Sequence, residues 1–163
     1  MTGSAVYLAV CGPDPAPEDV AAQCESVGRA IAQAGAVLVC GGLGGAMEAA
    51  ARGAGAQGGT VLGILPGTDR DAANAFVTVA VPTGMGEMWN ALIVRAADAV
   101  IAVGGEFGTL SEIAFALKAG TPVVGVGTWV LAKADGRDAD PIVRVETAGE
   151  AVAVALRLAR ATG

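Results

Sequence analysis

The sequence predicts an α/β domain of the doubly wound, Rossmann-like class, a mainly parallel sheet with helices on both faces. Three observations predict it. Short apolar, β-branched runs alternate with longer stretches of helical period, which is the chain order of βαβ units. The clearest run, Ala99–Val103, has no polar alternation, as a strand covered on both faces requires. Glycine-rich turns, rather than long polar loops, follow several of the strands. A length of 163 residues suits one domain with a proper core, so residues 1–163 are read as a single domain.

Each element follows from its pattern. Residues 5–11 form the first strand. From Glu18 onward, Val20, Cys24, Val27, Ile31 and Ala34 recur at intervals of three and four, an amphipathic helix that Gly35 stops. Residues 36–40 read as the second strand, 46 to about 54 as a helix, 60–65 as the third strand and 76–81 as a weaker fourth. Residues 87–97 read as a helix ahead of the Ala99–Val103 strand. Residues 109–119 then form a helix stopped by Gly120, and 122–126 the next strand. Residues 133–141, rich in Asp and charge, are a loop, and 142–145 a last strand. Thr147 with Glu150 makes a capping box for a final helix reaching Arg160.

Composition removes whole classes of chemistry. The chain has no histidine, which excludes a Ser-His-Asp triad, a Cys-His pair and His-ligated zinc. With 16 acids against 10 bases the net charge is −6, contrary to the basic surface of a nucleic-acid binder, so no nucleic-acid partner is expected. Cys11, Cys24 and Cys40 form no CxxC pair and sit at apolar or helical-period positions, so they read as buried small hydrophobes and no metal site is expected. No unbroken apolar run reaches membrane-span length and no secretory leader is seen, so a cytoplasmic protein without a membrane partner is expected.

The glycines carry the functional signal. In open parallel sheets, ligands sit beyond the carboxyl ends of the strands, where helix N-termini offer unpaired N–H groups. Gly12 follows the first strand, Gly41-Gly42-Leu43-Gly44-Gly45 the second, Pro66-Gly67-Thr68 the third, and Gly104-Gly105-Glu106-Phe107-Gly108-Thr109 the fifth. Such turns let several amides approach one anion, and Thr109 either adds a hydroxyl donor there or caps its helix. They also serve simply as tight strand-to-helix turns. The first turn, Gly12-Pro13-Asp14-Pro15, is no G-x-G-x-x-G, and the second strand ends without the acid that holds a ribose, so a dehydrogenase is disfavoured. No P-loop motif occurs either.

The string from Cys40 to Met47 and the run Gly104-Gly105-Glu106-Phe107-Gly108-Thr109-Leu110-Ser111-Glu112 resemble the signatures of the Lonely Guy-type phosphoribohydrolases and the related molybdenum cofactor carrier proteins. The similarity runs from the first strand to about Gly127 and is greatest to the carrier-like branch. It implies a nucleotide or molybdopterin-type ligand held by its phosphate on the two glycine-rich turns, no cofactor needed for catalysis, and a homodimer or higher homo-oligomer. In the hydrolases, a nucleoside 5′-monophosphate such as AMP or a cytokinin riboside monophosphate loses its base. The resemblance assigns that step to a Glu, which maps to Glu112, and to an Arg 23 positions before it.

That position holds Trp89. Its side chain has one N–H and a stacking face, but no forked cation for a phosphate or ribose. Arg95 lies about 240° farther round the same helix and cannot substitute from there. The reading placed first is therefore a binder of a small phosphate-bearing ligand, with Trp89 stacking on its ring or filling an interface and Asn90 bonding to it. The alternatives are a phosphoribohydrolase using Glu112 with a cation from elsewhere, such as Arg95 of a partner subunit, and a structural or regulatory oligomer that binds nothing.

Overall fold

A computed structural model of the chain describes residues 5–137 and 140–162. Of the expected loop at 133–141, residues 138 and 139 lie outside the described residues. Seven strands form one sheet in the order β4-β3-β2-β1-β5-β6-β7: β1 Tyr7–Cys11, β2 Val37–Cys40, β3 Val61–Leu65, β4 Val79–Pro82, β5 Ala99–Val103, β6 Val123–Val126 and β7 Val143–Arg144. All six pairings are parallel. The helices are α1 Glu18–Gln33, α2 Gly45–Gly55, α3 Trp89–Arg95, α4 Phe107–Ala119 and α5 Ala148–Thr162.

Strand alternation divides the core into two layers. Leu8 and Val10 of β1 point into a cluster with α1, α2 and α5, while Ala9 and Cys11 point into a second cluster with α3 and α4. β1 lies at the centre, beside β2 on one side and β5 on the other, with Cys11 opposite Ala102. The order in which strands are added reverses there, and this switch point is where such sheets leave a crevice. On the first face, α1 and α2 come into main-chain contact. A Cβ added to Gly28 would lie 1.9 Å from the Ala50 carbonyl oxygen, and one added to Gly53 would lie 1.9 Å from that of Glu25.

The helix stops are as the residues imply. Gly35 adopts φ +71° after α1 and Gly120 φ +77° after α4, and each lets the next N–H return to a carbonyl five residues back. The Thr147–Glu150 box forms in both directions, Glu150 N–H donating to Thr147 Oγ1 and Thr147 N–H to the Glu150 carboxylate, each at 3.3 Å. Thr147→Ala is expected to cost about 1 kcal/mol, read as a lower urea midpoint at unchanged slope.

Element starts that differ from the sequence pattern have local reasons in the fourth strand and in the third and fourth helices. The fourth strand begins at Val79 rather than 76. Asn74 pins the preceding turn, donating from Nδ2 to the Leu43 carbonyl at 2.8 Å and accepting from Phe76 N–H at 3.0 Å. Phe76 and Val77 therefore pack on the core from a turn. The third helix begins at Trp89 because Gly86–Met88 makes a tighter 3-10 turn first. The fourth begins at Phe107, ahead of Thr109, after an extended Glu106 whose side chain makes no capping bond.

Candidate functional site

At the carboxyl edge of β1 and β5 lies a cavity of about 600 Å³. Its deep end is formed by Cys11 from the last position of β1 and by Thr109 and Glu112 of α4, all buried. One turn of α4 separates the latter two, so both side chains face the same space. Thr109 is 1% exposed, and its hydroxyl oxygen has no hydrogen-bond partner. It is not the cap of α4, as one sequence reading allowed; it lies inside the first turn. The N–H groups of Phe107, Gly108 and Thr109 belong to that turn and have no intrahelical acceptor. Gly105, at φ +139°, is kept free of a Cβ by Thr109, whose side chain would lie 2.9 Å from it.

Glu112 is 8% exposed, and the Cys11 thiol stands beside its carboxylate. Burial pushes the Glu112 carboxyl up to about 8, against the smaller opposing pull of that thiol. Burial and the neighbouring Glu112 charge hold Cys11 well above the ordinary thiol range. Burial likewise takes Cys24 to about 12 and Cys40 to about 11. All three cysteines are free, buried thiols, as expected of small hydrophobes, but Cys11 is also a polar contact of the cavity. The signal available in the sequence was its place at a strand's carboxyl end, one residue before Gly12.

The sequence-predicted residues divide into two groups. Gly12, Leu43, Trp89, Asn90, Gly108, Thr109 and Glu112 line the cavity. Asn90 donates from Nδ2 to Ser111 Oγ at 2.8 Å, and that hydroxyl donates to the Gly108 carbonyl at 2.7 Å, so α3 is tied to the start of α4. Gly41, Gly42, Gly44, Gly45, Pro66, Gly104 and Gly105 stand behind the lining. A Cβ at Gly42 would meet Leu65, and one at Gly45 would meet the main chain of Pro13 and Asp14. The Asp14 carboxylate lies beside Gly44, the N-cap of α2, where it occupies the electrostatic position an anion would take. Close packing is thus one demand on the glycines after β2, whereas a Cβ at Gly108, in the first turn of α4, would meet nothing within 4 Å.

Trp89 packs its six-membered ring over Gly41, where an added Cβ would lie 2.3 Å from Cη2. Gly41→Ala is therefore expected to displace the indole and cost about 2 kcal/mol. Most of that cost should vanish in a Trp89→Leu background, so denaturant midpoints of the four proteins in the cycle should give a coupling above about 0.5 kcal/mol. Arg95, on the same helix, is exposed and absent from the lining.

Sequence reasoning passed over the mouth. Asp14, Glu87, Met88 and Phe107 are exposed there, and the lining includes neither Lys nor Arg. Phe107 is 76% exposed and pairs with Trp129, the ring centroids 5.7 Å apart at 38°. The Trp129 indole N–H donates to the Glu106 carbonyl at 3.2 Å, which fixes that pair to the start of α4. Among the described residues no cluster of three Cys, Asp or Glu is arranged to hold a metal ion, and no helix is long and apolar enough to cross a membrane.

Comparison with known proteins agrees with this architecture. An uncharacterised protein of Archaeoglobus fulgidus is 45% identical over 118 residues, 72% of this chain and 78% of that protein. The molybdenum cofactor binding protein of Rippkaea orientalis superposes with a TM-score of 0.86 at 28% identity, over 96% of this chain and 99% of that one. The molybdenum cofactor carrier protein of Chlamydomonas reinhardtii gives a TM-score of 0.81 at 30% identity, over 94% and 98%. The family model of the SLOG cluster4 family matches residues 5–152, nearly the full sheet and the whole cavity, and the chain belongs to that family.

Proposed function

We propose that this protein binds a small phosphate-bearing cofactor, of nucleotide or molybdopterin type, with its phosphate at the N-terminus of α4. The observation that carries the reading is Thr109, a residue of the cavity lining whose buried hydroxyl has no partner, at a helix start whose first three amides have no intrahelical acceptor. An unmatched buried hydroxyl costs about 1–3 kcal/mol, and an anion oxygen would satisfy it together with the amides. A volume near 600 Å³ is within the range of cofactor sites. The residues present fit a molybdopterin-type group. Phe107, Gly108 and Thr109 would hold its phosphate; such a group would supply redox chemistry only to an enzyme that received it. The solved carrier and binding proteins with the same fold support a carrier role over turnover.

The lining favours binding over hydrolysis for a second reason. A phosphoribohydrolase needs a cation to set phosphate and ribose while charge develops on the sugar. Glu112 is present as a buried carboxyl, but no Arg or Lys lines the cavity with it. Incubation with AMP should therefore release no adenine; release that vanishes in Glu112→Gln would overturn the carrier reading. The homo-oligomer remains part of the proposal, a second copy covering the exposed Met85 and Met88, and sedimentation velocity tests it.

Thr109→Val separates the ligand role from a structural one. Removing an unpaired hydroxyl without changing volume is expected to raise the stability of the free protein by about 1 kcal/mol. The same change should weaken binding of inorganic phosphate and AMP about tenfold by calorimetry. A variant that is destabilised, with binding unchanged, would count against the site. Wild type should also gain melting temperature with phosphate or a pterin monophosphate, since such ligands bind only the folded state.

A further inference from the structure

The mouth of the cavity has a chemistry opposite to that of its deep end. An anion is served by the start of α4, yet the charged groups around the rest of the lining are Asp14 from the turn after β1 and Glu87 from the turn before α3. With no Lys or Arg beside them, a ligand that was anionic or acceptor-rich throughout would meet only carboxylates. A bound molecule that covers Asp14 and Glu87 must offer them donors, or leave charges desolvated without partners. The same lining includes Phe107, the first residue of α4, an exposed ring held in place by Trp129 and its bond to Glu106. An aromatic ring fixed in this way and bare on one side suits stacking against a flat heterocycle.

We propose that the mouth selects a planar heterocycle carrying adjacent N–H donors on one edge, stacked on Phe107 and met at that edge by the carboxylates of Asp14 and Glu87. This rests on the anion site proposed above and goes further, because it names the ring chemistry and the residues that discriminate. Guanine and pterins share the edge, a ring N–H next to an exocyclic amino group, and a carboxylate accepts from both at once. Adenine presents a ring acceptor there and hypoxanthine lacks the amino group, so both lose part of the match. The rule is one of specificity. Neither carboxylate is asked to hold the phosphate, and Phe107 is asked to bind every flat ring equally.

Titration calorimetry with inorganic phosphate, GMP, IMP, AMP and a 6-substituted pterin monophosphate tests it. GMP or the pterin, whichever is the tighter source of the edge, should bind at least about tenfold more tightly than AMP, with IMP between them. In Asp14→Asn/Glu87→Gln the ratio should fall toward one, mainly through tighter AMP. Phe107→Ala should weaken GMP and AMP alike by about tenfold, with Phe107→Tyr restoring both. These positions are exposed, so circular dichroism should show all the variants folded. Phosphate binding with no preference among the rings, or a preference that survives the double substitution, overturns this inference and leaves the anion site standing. Failure of phosphate and of every ring to bind overturns both.

Discussion

Gly28→Ala is expected to lower the stability of the fold by about 3 kcal/mol, and Gly53→Ala by a similar amount, although both lie in helices where alanine is intrinsically favoured. At an open helical site the change stabilises by about 0.5–1 kcal/mol. Here the new methyl would lie 1.9 Å from a carbonyl oxygen of the neighbouring helix, Ala50 for Gly28 and Glu25 for Gly53. The obstacle is main chain, which cannot rotate aside, so α1 and α2 must separate and give up contacts along their shared length. Alanines 49, 50, 51 and 54 of α2, all buried, would lose their fit together. Gly149→Ala in α5, with open space around the added carbon, is the control and should be neutral or stabilising. Urea unfolding of the three variants measures the difference. A Gly28→Ala protein as stable as wild type would mean that the helices do not meet main chain to main chain.

The second large effect is a pH dependence of stability in an unusual direction. The Glu112 carboxyl titrates near 8 in the folded protein against 4.5 for a solvated glutamate, because burial penalises its charge. Between those values the folded state keeps a proton that the unfolded chain has released, so stability falls as pH rises, by at most about 1.4 kcal/mol per pH unit. The contribution is complete below pH 4.5 and lost by pH 8. The other shifted groups act outside this window. Cys11, Cys24 and Cys40 are raised from a thiol value of 9.0, and the carboxylates of Asp135 and Asp140 are lowered from 3.8. Glu112→Gln keeps the shape and removes the titration. It is expected to match wild type near pH 4.5 and exceed its stability by on the order of 3 kcal/mol at pH 8. Unfolding free energies at four pH values check this; parallel profiles for the two proteins would refute it.

The strands were legible because a buried parallel strand needs an apolar run, and Ala99–Val103 and Val61–Leu65 are such runs. The capping box at Thr147 and the stops at Gly35 and Gly120 were legible because their hydrogen bonds are local. Two kinds of information were not. Gly28 and Gly53 look like ordinary helix weaknesses until the fold brings each against another helix. Likewise, the contact between Cys11 and Glu112 joins the first strand to the fourth helix, and no local pattern registers it. The glycine turn after β2 has a second demand on it that is hidden for the same reason. Its composition fits an anion cradle, and the structure adds that a Cβ at Gly41, Gly42 or Gly45 would meet Trp89, Leu65 or the Pro13–Asp14 main chain. What decides a glycine's purpose is the atom that approaches it, and that atom is seldom a sequence neighbour.

The main-chain contact between α1 and α2 also determines where this molecule can yield. Two helices that meet main chain to main chain at Gly28 and Gly53 cannot slide past one another there by changing rotamers, so that side of the sheet behaves as a fixed plate. The opposite side carries the seven-residue α3, entered through a short 3-10 turn, and the free end of α4. Admission of a ligand is therefore expected to be registered as slowed amide hydrogen exchange in residues 86–95 and 107–110, with α1 and α2 exchanging at the same rate whether or not the cavity is filled.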